Sequence, residues 1–221
     1  MTNKWNYGDA YLRHPIEQGK AVFSDGSCLM VNNIFSPLPD FMRKSDLLFM
    51  DPPWNKGNMT SFYTKADMMP PAETYEDFYV RLFECIKDIS PAVCYVEIGK
   101  EHLADFIMEM RKIYRKVTFY NSSYYHKRDN RCYIVRGWRY GKPPRLDDMD
   151  EENIIEWVCQ HETYQCIGDL CMGRGLVAVN AYKSGKQFVG TELNHKRLSV
   201  AIESLVEAGA QYTIQDNERV Y

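Results

Sequence analysis

Residues 164–192 read YQCIGDLCMGRGLVAVNAYKSGKQFVGTE and set out a strand, a glycine turn, a helix and a second strand in that order. The apolar run that ends at Asp169 is typical of a buried strand. Gly173 and Gly175 follow it and allow the backbone to approach a ligand closely at the start of a helix. The second strand ends in Glu192, at the spacing where nucleotide-binding folds have an acid that contacts ribose hydroxyls. The stretch therefore predicts an α/β fold with a nucleotide site.

A second motif, Asp51-Pro52-Pro53-Trp54, follows the short apolar run Leu47–Met50, which also predicts a buried strand. Asp51 brings a carboxylate acceptor, and the two prolines give a stiff backbone that offers carbonyl acceptors without N–H donors. Trp54 adds a large flat face. These groups suit an exocyclic amino group on a planar heterocycle, with two acceptors for its hydrogens and an indole for stacking. An ordinary tight turn at a strand end is the alternative.

The glycine motif alone does not decide which nucleotide binds. Gly173-x-Gly175-x-x-Ala178 also fits a dinucleotide fingerprint, so an NAD-dependent oxidoreductase is one alternative. Against it, too few residues remain after the motif for the second half of a dinucleotide fold. A non-catalytic subunit that only presents nucleic acid is another alternative. Such a subunit would be expected to have lost Asp51 or the glycine loop, and both are present.

Together the two motifs resemble those of the S-adenosylmethionine-dependent amino-methyltransferases of DNA, which methylate adenine N6 or cytosine N4. The resemblance covers roughly residues 20 to 205, and the order of the motifs is similar to that of the permuted beta group. It implies a catalytic motif at Asp51, Pro52, Pro53 and Trp54. It also implies cofactor contacts at Asp25, Asp169, Leu170, Cys171, Gly173, Gly175, Glu192, Leu193 and Asn194.

The resemblance further implies a Rossmann-like three-layer α/β methyltransferase fold, with a mostly parallel seven-stranded sheet closed by an antiparallel hairpin. The whole chain, 1–221, is expected to form one such domain with no separate large recognition domain. S-adenosyl-L-methionine is the expected cofactor, and no metal is needed for transfer from a sulfonium. One departure is the acidic stretch 147–152, where many relatives have His-x-x-x-Lys-Pro, which affects contacts to the methionine end of the cofactor.

The implied reaction is methyl transfer to the N6 amino group of adenine in duplex DNA, with the base flipped out of the stack. A cytosine-N4 DNA enzyme and an adenine-N6 RNA enzyme stay open as alternatives. The stretch from Lys56 to Pro71 is expected to form a mobile loop beside the catalytic motif. A homodimer or an accessory subunit also stays open.

Charge is distributed unevenly along the chain. The protein has a net charge of −3, but residues 111–145 hold eleven basic side chains and a single acid, so this segment carries +10 and the remainder −13. Aromatic residues interleave with these basic residues, which suits phosphate contacts and stacking on an unpaired base. A solvated hairpin with aromatics facing the core is the alternative. The residues expected to contact nucleic acid are Lys127, Arg128, Arg131, Arg136 and Arg139.

Composition favours a compact intracellular enzyme, and the resemblance together with the small size implies the cytoplasm of a bacterium or a phage-infected host cell. The chain has 221 residues, 45% of them hydrophobic, with no apolar run near 20 residues and no leader pattern, so no membrane contact is expected. Its seven cysteines form no Cys-x-x-Cys pair, which favours reduced core thiols over a metal site.

Overall fold

The computed structural model describes residues 7–215 except 125 and 126, and it leaves the side chain of Arg128 undescribed. Ten strands lie within this part of the chain: β1 Lys20–Phe23, β2 Cys28–Val31, β3 Leu47–Met50, β4 Val93–Ile98, β5 Lys116–Tyr124, β6 Lys127–Trp138, β7 Met149–Asp150, β8 Cys166–Asp169, β9 Gln187–Glu192 and β10 Tyr212–Gln215. The helices are α1 Ala10–Arg13, α2 Lys56–Lys65, α3 Tyr75–Ile89, α4 Leu103–Ile113, α5 Glu151–His161, α6 Leu176–Lys183 and α7 His195–Glu207.

The strands form one sheet in the order β10-β1-β2-β9-β8-β3-β4-β6-β5-β7. The five strands from β2 to β4 in this order run parallel, and β6 and β5 follow as an antiparallel hairpin. These seven strands are the sheet that the sequence predicts. Three strands extend it: β10 and β1 pair antiparallel at one edge, and the two-residue β7 lies beside β5 at the other.

Helices cover both faces of the sheet, which confirms the three-layer α/β fold. One apolar core joins the sheet to α5, α6 and α7, and a second joins the other face to α3 and α4. Because parallel strands in the middle of such a sheet are buried on both faces, they read as continuous apolar runs. All residues of β3 and of β4 are buried, and Glu97 in β4 is the one acid among them. Within the described ranges, no helix is long and apolar enough to cross a membrane.

The segment that follows Trp54 differs from the expected loop over its first ten residues, whereas residues 66–71 are irregular as predicted. Residues Lys56–Lys65 form α2, whose first turn is capped by Asn55, with the side chain accepting a hydrogen bond from the Asn58 N–H at 2.9 Å. Met59 and Tyr63 are buried, and the Tyr63 hydroxyl donates to Asn33 at 2.7 Å. The sequence did not predict this helix because the helix is mostly polar and buries only a narrow apolar stripe.

Candidate active site

Asp51 lies at the carboxyl end of β3 and has two donors around it. The indole Nε1–H of Trp54 donates to Asp51 Oδ1 at 2.9 Å, and the hydroxyl of Tyr124 donates to Oδ2 at 3.3 Å. Burial of the carboxylate raises the pKa of Asp51 to about 6, although the two hydrogen bonds and the nearby Arg197 act in the opposite direction. Asp51 is therefore a carboxylate of raised basicity that is held in one orientation.

The two prolines after Asp51 are buried, and the turn they form is anchored from α3. The hydroxyl of Tyr75 donates to the carbonyl oxygen of Pro53 at 2.7 Å. Trp54 lies against Gly99, where a Cβ atom would come within 3.0 Å of the indole, and its ring meets Tyr124 edge to face at 5.2 Å. The Asp-Pro-Pro-Trp turn is thus held by contacts from α3, β5 and Gly99. Tyr75 and Tyr124 were missed by the sequence reasoning because they come from distant elements.

The glycine turn leads from β8 into α6. The carboxylate of Asp169 accepts a hydrogen bond from the Cys171 N–H at 2.9 Å, which fixes the start of the turn. Gly173 and Gly175 adopt φ angles of 55° and 80°, in the left-handed region that glycine tolerates. A Cβ at Gly175 would also lie 2.6 Å from the Cβ of Ala201, so a side chain at this position would collide with α7.

Glu192 closes the glycine turn from the neighbouring strand. Its Oε2 accepts a hydrogen bond from the Gly173 N–H at 2.7 Å, and its Oε1 accepts one from the Asn194 N–H at 3.0 Å. The side chain of Asn194 serves the fold instead, since it caps α7 at the Lys196 N–H and donates to the carbonyl of Lys65. A carboxylate has more acceptor positions than these two bonds use, so Glu192 keeps capacity for a ligand.

A cavity of about 610 Å³ joins these elements at the carboxyl ends of the strands. The predicted site residues that line it are Asp51, Pro53, Asp169, Leu170, Cys171, Gly173, Glu192 and Leu193. Gly175 and Asn194 hold the loops around it rather than line it. Of the seven cysteines, all free, Cys171 alone is partly exposed and the other six are buried.

Asp25 lies elsewhere, and its predicted contact with the cofactor is corrected. Its carboxylate accepts hydrogen bonds from the backbone N–H and hydroxyl of Ser27, and its carbonyl accepts one from Gln187 at the start of β9. Glu192 is at the other end of that strand, about 17 Å away at the rise of a strand. Asn32, directly after β2, lines the cavity, whereas Asp25 does not.

Further carboxyl groups line the cavity near Asp51. Glu97 of β4 and Glu151 at the start of α5 are buried, and Glu152 lies beside them. Burial, together with the carboxylates of Asp51 and Glu151, holds the pKa of Glu97 well above its usual range. Sequence reasoning missed Glu97, although an acid inside the apolar run 92–98 was a signal for it. The acidic stretch 147–152 contributes its last two residues to this wall.

The basic segment divides into two parts. Lys127 and Arg131 are exposed near the tip of the β5–β6 hairpin, on the side of the sheet where Tyr124 reaches Asp51. Arg128 also lies in this region, but its side chain is outside the described part of the structure. Two exposed basic residues therefore lie on the hairpin that reaches Asp51 through Tyr124.

Arg136 and Arg139 lie away from the hairpin tip. The expectation of a nucleic-acid contact is corrected for the buried Arg136, and for the exposed Arg139 it stays a prediction. Arg136 is 2% exposed and donates to Glu162 and to the hydroxyl of Tyr95, each at 2.7 Å. Arg139 donates to the carbonyl of Pro91 just before β4, at the amino ends of the parallel strands, whereas Asp51 follows the carboxyl end of β3. Alternation along β6 turns the Arg136 side chain into the core.

Comparison with known proteins was made at the level of sequence and of structure. No family model and no curated protein matches the sequence. Solved structures do match. The M1.HpyAVI–SAM complex is 13% identical, with a TM-score of 0.53 over 80% of this chain and 98% of the other. TTHA0409 of Thermus thermophilus, named as a putative DNA modification methylase and solved with S-adenosyl-L-methionine, is 14% identical, with a TM-score of 0.55 over 81% of this chain and 93% of the other.

PvuII DNA methyltransferase, which is cytosine-N4-specific, is 9% identical, with a TM-score of 0.53 over 80% of this chain and 85% of the other. At such low identity these likenesses concern the fold. The chain therefore shares its fold with DNA methyltransferases across most of its length.

Proposed function

We propose that the protein transfers a methyl group from S-adenosyl-L-methionine to the exocyclic N6 amino group of adenine in DNA. One observation carries the proposal. A single cavity holds the Asp51 carboxylate and the Glu192-bonded glycine turn, two motifs that lie more than 110 residues apart in the sequence. A methyl acceptor site beside a nucleotide site is the arrangement that this reaction needs.

The residues of the cavity fit the proposed cofactor. Glu192 has acceptor capacity for ribose hydroxyls, and Gly173 brings backbone close to the ligand without a side chain. The cavity volume of about 610 Å³ lies in the usual range for small-molecule sites. The structures of M1.HpyAVI and TTHA0409, which share the fold, were solved with S-adenosylmethionine.

The bound cofactor supplies an electrophilic methyl group on a sulfonium. The task of the protein is to present the amino nitrogen of the base in line with it. Asp51 accepts one hydrogen of the amino group, and the carbonyl of Pro52 accepts the other, since the Pro53 carbonyl already has the Tyr75 hydroxyl. These bonds favour a pyramidal nitrogen with an available lone pair. The amino nitrogen must lose one proton when it is methylated, and Asp51, whose raised pKa suits a base, would accept that proton.

The choice of adenine rests on the Asp-Pro-Pro-Trp motif, which in the resembled family goes mostly with adenine. PvuII DNA methyltransferase shares the fold and is cytosine-N4-specific, so cytosine N4 is the competing target in this proposal. Adenine N6 in RNA is a further competitor. In duplex DNA the amino group is inside the stack, so the base must flip to reach Asp51.

Lys127 and Arg131 on the β5–β6 hairpin would contact DNA phosphates in this proposal. Both are exposed, and the hairpin is joined to the catalytic carboxylate through the Tyr124 hydroxyl. A duplex that presents a flipped base to Asp51 must pass close to this hairpin. Positive charge on this hairpin would attract phosphates although the chain as a whole carries a net charge of −3.

The test is methyl transfer from radiolabelled S-adenosylmethionine to unmethylated duplex DNA and to RNA, followed by digestion to nucleosides and mass detection. We expect N6-methyladenine from DNA, no product from D51N, and full activity from the control D88N, which changes an exposed acid at the end of α3. D51N should still bind the cofactor. Label in cytosine or in RNA would change the substrate, and transfer by D51N would refute the role of Asp51.

A further inference from the structure

Glu97 is a buried acid without a matching partner in the protein. It is 1% exposed, and neither carboxyl oxygen has a hydrogen-bond partner among the described residues. The thiol of Cys132, a weak donor, faces it without hydrogen-bonding geometry. Buried polar groups are nearly always paired, so an unpaired carboxyl in a cavity wall indicates that a ligand supplies the partner.

The position of Glu97 follows from strand pairing. In the parallel pair of β3 and β4, Met50 lies opposite Val96, so Asp51 and Glu97 occupy the next position of the same register. Paired residues of neighbouring strands point to the same face, with the strands about 4.8 Å apart. Glu97 therefore stands beside Asp51 on the face where Glu151 begins α5.

The surroundings of Glu97 are mostly acidic. The titratable groups that face it are Asp51 on β3, Cys132 on β6, and Asp150 and Glu151 at the start of α5. Around the rest of the cavity are Glu152, Asp169 and Glu192, with Tyr124, Arg174 and Arg197. Carboxyl groups thus outnumber guanidinium groups around the cavity, and the described titratable groups that face Glu97 itself are acids and a thiol. A cationic donor is the ligand group that this wall suits.

We propose that Glu97 accepts a hydrogen bond from the α-ammonium of S-adenosylmethionine, and so holds the amino-acid end of the cofactor on this wall. The proposal rests on the proposed function. With the ribose at Glu192 on β9, the cofactor crosses β8 and β3 toward β4, three strand spacings or roughly 14 Å. Its amino-acid end then meets Glu97 and the acidic start of α5. Of the acidic stretch 147–152, Glu151 and Glu152 line this part of the cavity, which suits the cofactor's ammonium rather than its carboxylate.

Binding should release a proton. Without ligand, burial and the neighbouring carboxylates hold the pKa of Glu97 well above its usual range, so its carboxyl keeps its proton at pH values where an ordinary glutamate has lost it. An ammonium beside it favours the ionised form, so the carboxyl O–H bond breaks, the proton passes to the buffer and an ion pair forms. While Glu97 is neutral in the free protein, affinity should rise by up to about tenfold per pH unit. Asp51 should add little to the proton release at pH 7.5, because its pKa is about 6.

The experiment is isothermal titration calorimetry of the full chain at pH 7.5, in buffers of different ionisation enthalpy, which counts the protons released. The ligands are S-adenosylmethionine, S-adenosylhomocysteine and 5′-methylthioadenosine, of which only the last lacks the ammonium. We expect release with the first two and none with the third. In E97Q the release should vanish, and affinity for the first two should fall roughly 10- to 100-fold while the third is unchanged. The control E207Q, at an exposed position on α7, should behave as wild type.

Each other outcome overturns the assignment. Equal proton release from E97Q and wild type would place the titrating group elsewhere, and release with S-adenosylmethionine alone would mean that the sulfonium is recognised. If E97Q does not fold, two measurements replace it: binding by E97D, and the pH dependence of wild-type affinity for S-adenosylmethionine and for 5′-methylthioadenosine. Parallel pH profiles for these two ligands would overturn the proposal. Binding of all three ligands without proton release refutes Glu97 alone, whereas binding of none refutes the proposed function as well.

Discussion

Replacement of Arg136 by Met should destabilise the protein without weakening its binding to DNA. Arg136 lies in the basic segment, yet it donates to Glu162 and to the Tyr95 hydroxyl at 2.7 Å each. Its guanidinium also lies over the rings of Tyr95 and Trp138, at 5.3 and 4.8 Å from their centroids. R136M keeps an apolar side chain of similar length and removes only the charge and its donors.

The magnitude follows from what is left unpaired. The Glu162 side chain is 15% exposed and would lose its cation, and the buried Tyr95 hydroxyl would lose one of its two partners. Removing one partner of a buried ion pair costs about 3–5 kcal/mol of unfolding free energy. For a chain of this size, that corresponds to a fall in Tm of roughly 6–20 °C.

The matched variant is K127A/R131A, which removes two exposed cations from the hairpin tip. It should leave Tm within about 2 °C of wild type, because exposed charges contribute little to stability. It should weaken DNA binding and reduce the salt slope of log K by about 2, the value for two phosphate contacts.

The assays are thermal unfolding by circular dichroism and DNA binding by fluorescence anisotropy at several salt concentrations, at a temperature where R136M is folded. Equal stability of R136M and wild type would refute the core role of Arg136. A loss of DNA affinity in R136M as large as in K127A/R131A would refute the division of the basic segment.

Three further predictions concern the site. Because the pKa of Asp51 is raised to about 6 and its ionised form is the base, kcat/KM should fall as the pH drops below about 6. W54F removes a donor that lowers this pKa, so its acid limb should move to higher pH, and an unmoved limb would contradict the assignment. G175A should lower Tm by roughly 4–8 °C, because alanine disfavours the left-handed φ and meets Ala201; G175A combined with A201G should recover part of the loss, which calorimetry checks. E192Q should bind S-adenosylmethionine roughly 10- to 100-fold more weakly by titration calorimetry, and unchanged affinity would argue against a ribose contact.

The sequence predicted the parts of the molecule whose signals are local. The strand, glycine turn, helix and strand of residues 164–192 are contiguous, and β8, α6 and β9 follow that pattern. The three-layer fold was also predicted, because alternating strand and helix patterns restrict the architecture. The edge strands β1, β7 and β10 were missed, since pairing at a sheet edge involves short segments with little apolar periodicity.

Where tertiary pairing decides, the sequence prediction failed. Asp25 sits in an Asp-Gly turn between β1 and β2, and only the direction of β2 reveals that this turn faces away from the cavity. In the sequence, Arg136 cannot be distinguished from the other basic residues of its segment. Its burial follows from the pairing of β6 with β4 and from its ion pair with Glu162. The pairing of Asp51 with Glu97 likewise depends on the register between strands more than 40 residues apart.

The distribution of the seven cysteines allows ligand binding in the cavity to be followed by thiol labelling. Six thiols are buried, and Cys171, in the glycine turn, is the one that is partly exposed and lines the cavity. Burial and nearby carboxylates hold the pKa of Cys171 well above its usual range, so its alkylation is slower than that of an ordinary thiol. A small uncharged alkylating reagent would therefore label one site without any engineering. The labelling rate would follow occupancy of the cavity, so ligands could be screened by mass spectrometry on the unmodified chain.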